Sequence, residues 1–150
     1  MNPLHLFTSV EGRIGRRTYW LGIILITVIG VPVIALVSYL GGGTAGAIAN
    51  LAFLWCGFAL SVKRAQDHNM HYLFIAAYFA LVAVVTNLTA SQTKMMTGVA
   101  NEQQPLAVAV SLFFLAYVIF LFVQLGLRRG TVGPNKYGAD PLEIAQPTRT

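Results

Sequence analysis

Charge is scarce in this sequence. Ten Lys and Arg and five Asp and Glu make up 10% of its 150 residues, where a soluble domain carries roughly 25%. Hydrophobic residues account for 56%, and the mean hydropathy is +0.66. That balance excludes a disordered chain, a nucleic-acid-binding domain and an ordinary soluble enzyme. A net charge of +5 and a pI near 9.7 suit an anionic partner, but the charges stand in small groups between long uncharged runs. No Asp, Glu, Lys or Arg occurs from Thr18 through Val62, a run of 45 residues. Charge vanishes again between Asp67 and Lys94, and between Glu102 and Arg128. The one cysteine, Cys56, excludes an intrachain disulfide. Also missing are a Gly-x-Ser-x-Gly elbow, a phosphate-binding loop and a His-Glu-x-x-His pair. No catalytic set is legible, and an enzyme is not expected.

What fills the uncharged runs is apolar and long. Four stretches, about residues 19–40, 45–62, 72–90 and 106–127, are each within or near the roughly 17–25 residues a membrane helix requires. Strict alternation is absent, so a closed barrel is not an alternative. The expected fold is an all-α membrane protein: one domain over residues 1–150, a four-helix transmembrane bundle. An interfacial segment precedes the bundle, and a turn-rich, ordered C-terminal tail follows it. Gly41-Gly42-Gly43 is too short for a folded loop, which makes the first two spans a tight hairpin. Ala45-Gly46-Ala47 resembles a signal-peptide cleavage site. An apolar core of about 22 residues, however, exceeds the 7–15 of such peptides, and a retained span is expected.

Orientation follows from the basic residues. With segments 1–18, 63–71 and 128–150 in the cytoplasm, nine of the ten Lys and Arg lie inside, and only Lys94 lies outside. The inner face then carries +5 and the outer face, with Lys94 and Glu102, carries zero. This is a strong positive-inside bias.

No ionisable side chain is placed at membrane depth, which argues against a pump or ion-coupled transporter. The polar residues there are Asn50, Asn87 and Gln124. Asn50 and Asn87 have similar depths and suit a bond between helices. Ala76, Ala80, Ala83, Asn87 and Ala90 share one helix face, where another helix of the bundle or a second copy can approach closely. Pro32, near Gly30, is placed to bend the first span.

Three polar clusters meet on the inner face. In the first, residues 7–20, helical spacing would put Arg13 beside Arg16 and Arg17. Gly12 and Gly15 favour a turn instead, with backbone N–H groups beside the arginines, an arrangement that suits a phosphate. The second, residues 63–71, holds Asp67, which can pair with Arg64 three residues away or with Arg13, Arg16 or Arg17. The third, residues 130–141, is rich in turn formers and reads as a compact tail.

Taken in order between four spans, these clusters resemble the family catalogued as domain of unknown function 805, small YhaH-like bacterial inner-membrane proteins. The likeness covers about residues 6–141. It rests first on a Gly-Arg-x-x-Arg-x-x-aromatic-Trp stretch, matched by Gly12, Arg13, Arg16, Tyr19 and Trp20. It rests last on Gly-x-Asn-basic-aromatic-Gly-x-Asp-Pro, matched by Gly133, Asn135, Lys136, Tyr137, Gly138, Asp140 and Pro141. The middle motif, Arg-Arg-Leu-His-Asp followed by Arg-Ser, is matched at Arg64 and Asp67, with Lys63 and Gln66 replacing an arginine and the histidine. Met70-His71 stands in place of Arg-Ser. The resemblance implies the architecture and a bacterial inner-membrane location with both termini cytoplasmic; it implies no established activity.

Asp67, His68 and His71 form too small a donor set for a typical zinc site, so neither metal nor cofactor is expected. Two functions remain. The first is an interaction or scaffold protein whose basic inner face binds anionic lipid head groups or a protein partner. Its expected contact residues are Arg13, Arg16, Arg17, Arg64, Asp67, Asn135, Tyr137 and Asp140. The second is a small oligomeric transporter or channel component. Membrane lipids, a protein or a second copy are the partners expected; nucleic acid is not.

Overall fold

A computed structural model gives the backbone of residues 3–94 and 104–144 and the side chains of residues 4–86 and 108–143. Among the described residues the chain is helical and contains no strand. A short helix α1 (Pro3–Thr8) leads through an extended stretch to α2 (Arg16–Asp67). Helix α3 (Leu73–Lys94) follows. Helix α4 (Gln104–Leu121) continues as a π-helical segment, Phe122–Leu127. The tail ends in a single turn, α5 (Pro141–Ile144).

Although α2 holds 52 residues, it is two helices joined at a corner. Gly42 has φ 77° and ψ 178°, outside helical space; positive φ costs glycine little and other residues more. Residues 16–41 and 43–67 therefore form two arms of a hairpin, and small residues seat it. A Cβ on Gly22 would lie 2.7 Å from Leu60, one on Gly30 2.8 Å from Phe53, and one on Gly46 3.2 Å from the Ser38 Cα. The backbones approach closely because these positions lack side chains. Helical dihedrals persist through Pro32; the sharp turn is at Gly42.

The remaining helices join through aromatic contacts. Phe58 meets Phe79 edge-on at 5.4 Å, and Tyr78 stacks on Phe114 at 5.9 Å. The Tyr117 hydroxyl donates to the Phe74 carbonyl at 2.7 Å. Buried Val62, Ala65, Ile75, Leu121 and Leu125 form the core, close to the end where Arg16, Asp67 and Leu127 converge. Ile14, Ala59 and Leu60 are buried as well, while many other apolar side chains face outward, among them Leu21, Val28, Leu51 and Leu112. Among the described residues two helices are long and apolar enough to cross a membrane, Arg16–Asp67 and Val108–Leu127, each only 11% buried over its most apolar stretch. An apolar exterior over a small core is the reverse of a soluble protein.

Helix α3 runs past its expected end to Lys94, and α4 begins at Gln104, so the segment between them is shorter than its composition indicates. The Asn50–Asn87 pairing lies outside the described side chains, as do Lys94 and Glu102. Asn50, Ala80 and Ala83 face outward. Gln124 accepts a hydrogen bond from Arg128 at 3.0 Å.

Candidate functional site: a buried arginine–aspartate knot beside a basic cleft

Asp67 ends the second arm of α2, and Arg64 precedes it by one turn on the same face. Gly12, at φ 96°, turns the chain before Arg13. Two guanidinium groups consequently meet one carboxylate. Arg13 donates from Nε and Nη2 to Asp67 Oδ1 at 3.1 and 2.9 Å, and Arg64 Nη1 donates to Oδ2. Arg13 is 7% exposed, Arg64 1% and Asp67 4%.

Charges this deeply buried require every donor to be used. Arg13 also reaches the carbonyls of Gly133 at 2.8 Å, Gly138 at 3.0 Å and Thr131 at 2.6 Å. Arg64 reaches those of Leu125 at 2.8 Å and Arg128 at 2.6 Å. One turn further along, Arg16 donates to the Leu127 carbonyl at 2.9 Å and Trp20 to that of Gly126 at 3.1 Å. These oxygens belong to the last turn of the fourth helix, where carbonyls lack helical partners and carry the negative end of the dipole. Arg16 thus caps a helix end 111 residues away, and Arg64 caps the same end from 61 and 64 residues away. Burial draws Arg64 below its ordinary pKa while Asp67 pulls it back up; guanidinium remains charged at neutral pH.

The tail closes over this knot. Thr131 donates N–H and hydroxyl to the Asp67 carbonyl at 2.8 and 2.9 Å. Asn135 donates to the Gln66 carbonyl at 3.0 Å, and its own side-chain oxygen accepts the Tyr137 N–H at 2.8 Å. Asp140 accepts from the N–H groups of Gly133 and Leu142, which hold its pKa below the ordinary value. The Tyr137 ring lies under the Lys136 ammonium at 4.9 Å. At the other edge, buried Lys63 donates to the carbonyls of His5 and Leu6, and Trp55 to that of Thr8 at 3.3 Å. These bonds dock α1 on the second arm.

Among the expected contact residues, Arg13, Arg64, Asp67 and Asp140 are buried, Asn135 and Tyr137 half-buried, and Arg16 and Arg17 exposed. Sequence reasoning counted Lys63 and Arg129 in the basic face without giving either a partner, and missed Thr131 and the carbonyls of residues 125–128. The knot forms one side of a cleft of about 480 Å3, lined by four arginines, Arg16, Arg17, Arg64 and Arg129, and by two carboxylates, Asp67 and Asp140, among others. Among the described residues Arg17 and Arg129 have no hydrogen-bond or ion-pair partner. No three His, Cys, Asp or Glu side chains among them come together to hold a metal.

The sequence from residue 7 to 139 matches the family model described as "Protein of unknown function (DUF805)". The chain belongs to this family. It is also 30% identical over 141 residues to "Uncharacterized protein YiiR" of Escherichia coli K12, covering 91% of this chain and 88% of that one. The YiiR protein of Escherichia coli O157:H7 matches to the same extent. No solved structure gives a significant match. The DUF805 match spans the arginine–aspartate knot and nearly all of the tail that covers it.

His68 gives this end of the DUF805 chain a pH response. Its Nε2 is buried without a partner, and desolvation with repulsion from Arg64 and Arg128 outweighs attraction to Asp67, pushing its pKa from 6.5 to about 4. The unfolded chain therefore binds the proton more readily between those values. Stability is fully present above about pH 6.5 and falls as pH drops toward 4. In thermal melts in detergent, His68→Gln should flatten the fall between pH 6.5 and 4; a slope unchanged by the substitution contradicts this.

Proposed function

We propose that the chain is an integral inner-membrane binding protein with four spans: the two arms of α2, then α3 and α4 with its π-helical end. Its convergent polar end lies in the cytoplasm and holds anionic lipid head groups in the basic cleft. The four-span reading is supported by arm length. Residues 16–41 extend about 39 Å as helix, enough for a hydrocarbon core of about 30 Å. The orientation is supported by eight Lys and Arg at one end of the described residues: Arg13, Arg16, Arg17, Lys63, Arg64, Arg128, Arg129 and Lys136. Among the described residues the cleft is lined by arginines with unused donors, which supports binding as its function.

One observation carries the choice of ligand. Arg13, Arg64 and part of Arg16 are consumed by internal carbonyls, whereas Arg17 and Arg129 line the cleft with their donors unused. If topology were their whole role, any position on this face would serve. Each basic group near an anionic surface contributes about 1 kcal/mol, so Arg17→Gln with Arg129→Gln should weaken phosphatidylglycerol binding by about 2 kcal/mol, roughly thirtyfold. Mixed-micelle titration of the purified double variant against the wild type measures this, with phosphatidylcholine as the neutral control. Equal binding by a correctly inserted variant rejects the reading.

A further inference from the structure

A second space lies one to two turns below the cleft, inside the bundle. It measures about 330 Å3 and is walled by Tyr19 and Ile23 of the first arm, Gly57 and Ser61 of the second, Tyr78 of α3 and Val118 of α4, among others. That volume is at the lower end of the roughly 300–1,000 Å3 of ligand pockets. Close-packed interiors leave few voids larger than a water molecule, and an apolar void stays dry and accepts an apolar guest. Three hydroxyls, of Tyr19, Ser61 and Tyr78, stand among otherwise apolar side chains such as Ile23, Val118 and Leu121, so the wall is mainly apolar.

How an occupant enters is set by the helix packing. Helix α2 meets the fourth helix only along the π-helical segment 122–127. Beyond that seam, sealed by the Trp20–Gly126 bond and the edge-on Trp20–Phe122 contact at 5.7 Å, α2 and α4 stand apart. On this side the cavity is closed by side chains, Tyr19 and Ile23 facing Val118 and Leu121, and not by close helix backbones. Arg16 is exposed at the head of this seam, with one guanidinium nitrogen bonded to Leu127. Seven residues of helix, about 10 Å, separate it from Ile23 in the cavity wall.

We infer that the cavity takes one acyl chain of an anionic phospholipid, entering between α2 and α4, with its head group at Arg16 beside the basic cleft. This rests on the head-group reading above and adds a chain site, which would make the lipid a bound ligand rather than part of a diffuse annulus. Gly57 supplies the discriminating variant. A Cβ there meets nothing within 4 Å, so Gly57→Leu fills the space without touching the cleft.

The test reconstitutes the full chain with phosphatidylglycerol carrying a diazirine midway along one acyl chain, and in parallel with the equivalent phosphatidylcholine. Expected are crosslinks to Ile23, Tyr78 and Val118 from the phosphatidylglycerol probe, and at least a tenfold loss of them in Gly57→Leu. Titration of that variant with glycerol 1-phosphate, the head group without acyl chains, should stay within twofold of the wild type. Crosslinks confined in the wild type to outward residues such as Leu21 and Val28 overturn the inference whether or not the variant folds. Core crosslinks that persist in a folded Gly57→Leu, or that the phosphatidylcholine probe gives equally, overturn it too. Failure of the head-group reading shows separately, in the Arg17 and Arg129 titration.

Discussion

Replacing Asp67 by Ala is expected to destabilise the protein by about 3–5 kcal/mol, the cost of leaving a buried ion pair with one side missing. Here the remaining side is doubled, because Arg13 and Arg64 converge on the same carboxylate. Neither guanidinium has a way out: both are almost fully buried, and both are held by carbonyls of the tail and the fourth helix. Removing the carboxylate sets two like charges against each other at nearly buried positions. Asp67→Asn should cost less than Asp67→Ala, since it keeps an acceptor and loses only the charge. Denaturant titration in detergent micelles measures both; a loss below 1 kcal/mol for Asp67→Ala would mean the knot is solvated. Arg17→Ala, at an exposed position without internal partners, should fall within about 0.5 kcal/mol of wild type.

The converse substitution separates structure from charge. Changing Arg13, Arg64 and Asp67 together to apolar residues of similar size removes the desolvation cost along with the attraction. The triple variant should be less impaired than Asp67→Ala alone in the buried pair, yet it should lose the caps on the Leu125 and Arg128 carbonyls. The knot is therefore an organiser of the polar end as much as a source of stability. It fixes where the tail lies, and the tail with Arg129, Pro141 and Leu142 forms one wall of the basic cleft.

Much of this was legible in the sequence, and the physical reason is the range of each interaction. Helix positions follow from apolar run length, so the hairpin at Gly41–Gly43 could be placed within a residue of its corner at Gly42. Asp67 is the one acid near the centre of its face, so its pairing with Arg64 and with an N-terminal arginine was foreseeable; which arginine was not. The turn at Gly12 selects Arg13, and helical phase sends Arg16 to the Leu127 carbonyl instead. Acceptors were the hidden part. Main-chain carbonyls of Leu125, Gly126, Leu127 and Arg128 leave no mark on side-chain chemistry, and the π-helical turn that presents them has no residue code. Arg13 bonds across 120 positions to Gly133 and 125 to Gly138, distances no local pattern spans. Lys63 looked like a topology charge for the same reason: its partners are the carbonyls of His5 and Leu6.

Gly130→Ala should match the loss of Asp67 while leaving every charge in place. A Cβ at this position would overlap Asp67 Oδ2 and lie 2.8 Å from the Asp67 carbonyl oxygen. A flexible side-chain tip can move aside, but this carboxylate is fixed by two arginines and the carbonyl belongs to the helix backbone. The strand of tail must move instead. Moving it breaks both Thr131 bonds to Asp67 and draws the Thr131 carbonyl from Arg13. Overpacking alone costs about 1–3 kcal/mol, and the uncoupled donors raise the total to at least ~3 kcal/mol. Gly133→Ala is the control: it has φ 78° and open space around its Cβ, so it pays only the left-handed penalty of about 1–2 kcal/mol. Limited proteolysis of the protein in detergent, read alongside thermal melts, separates the two. Gly130→Ala should expose residues 131–144 to cleavage at a protease concentration that leaves wild type and Gly133→Ala intact. Should all three resist equally, the tail would not depend on its close approach to Asp67, and the cleft wall it forms with Arg129 would need another anchor.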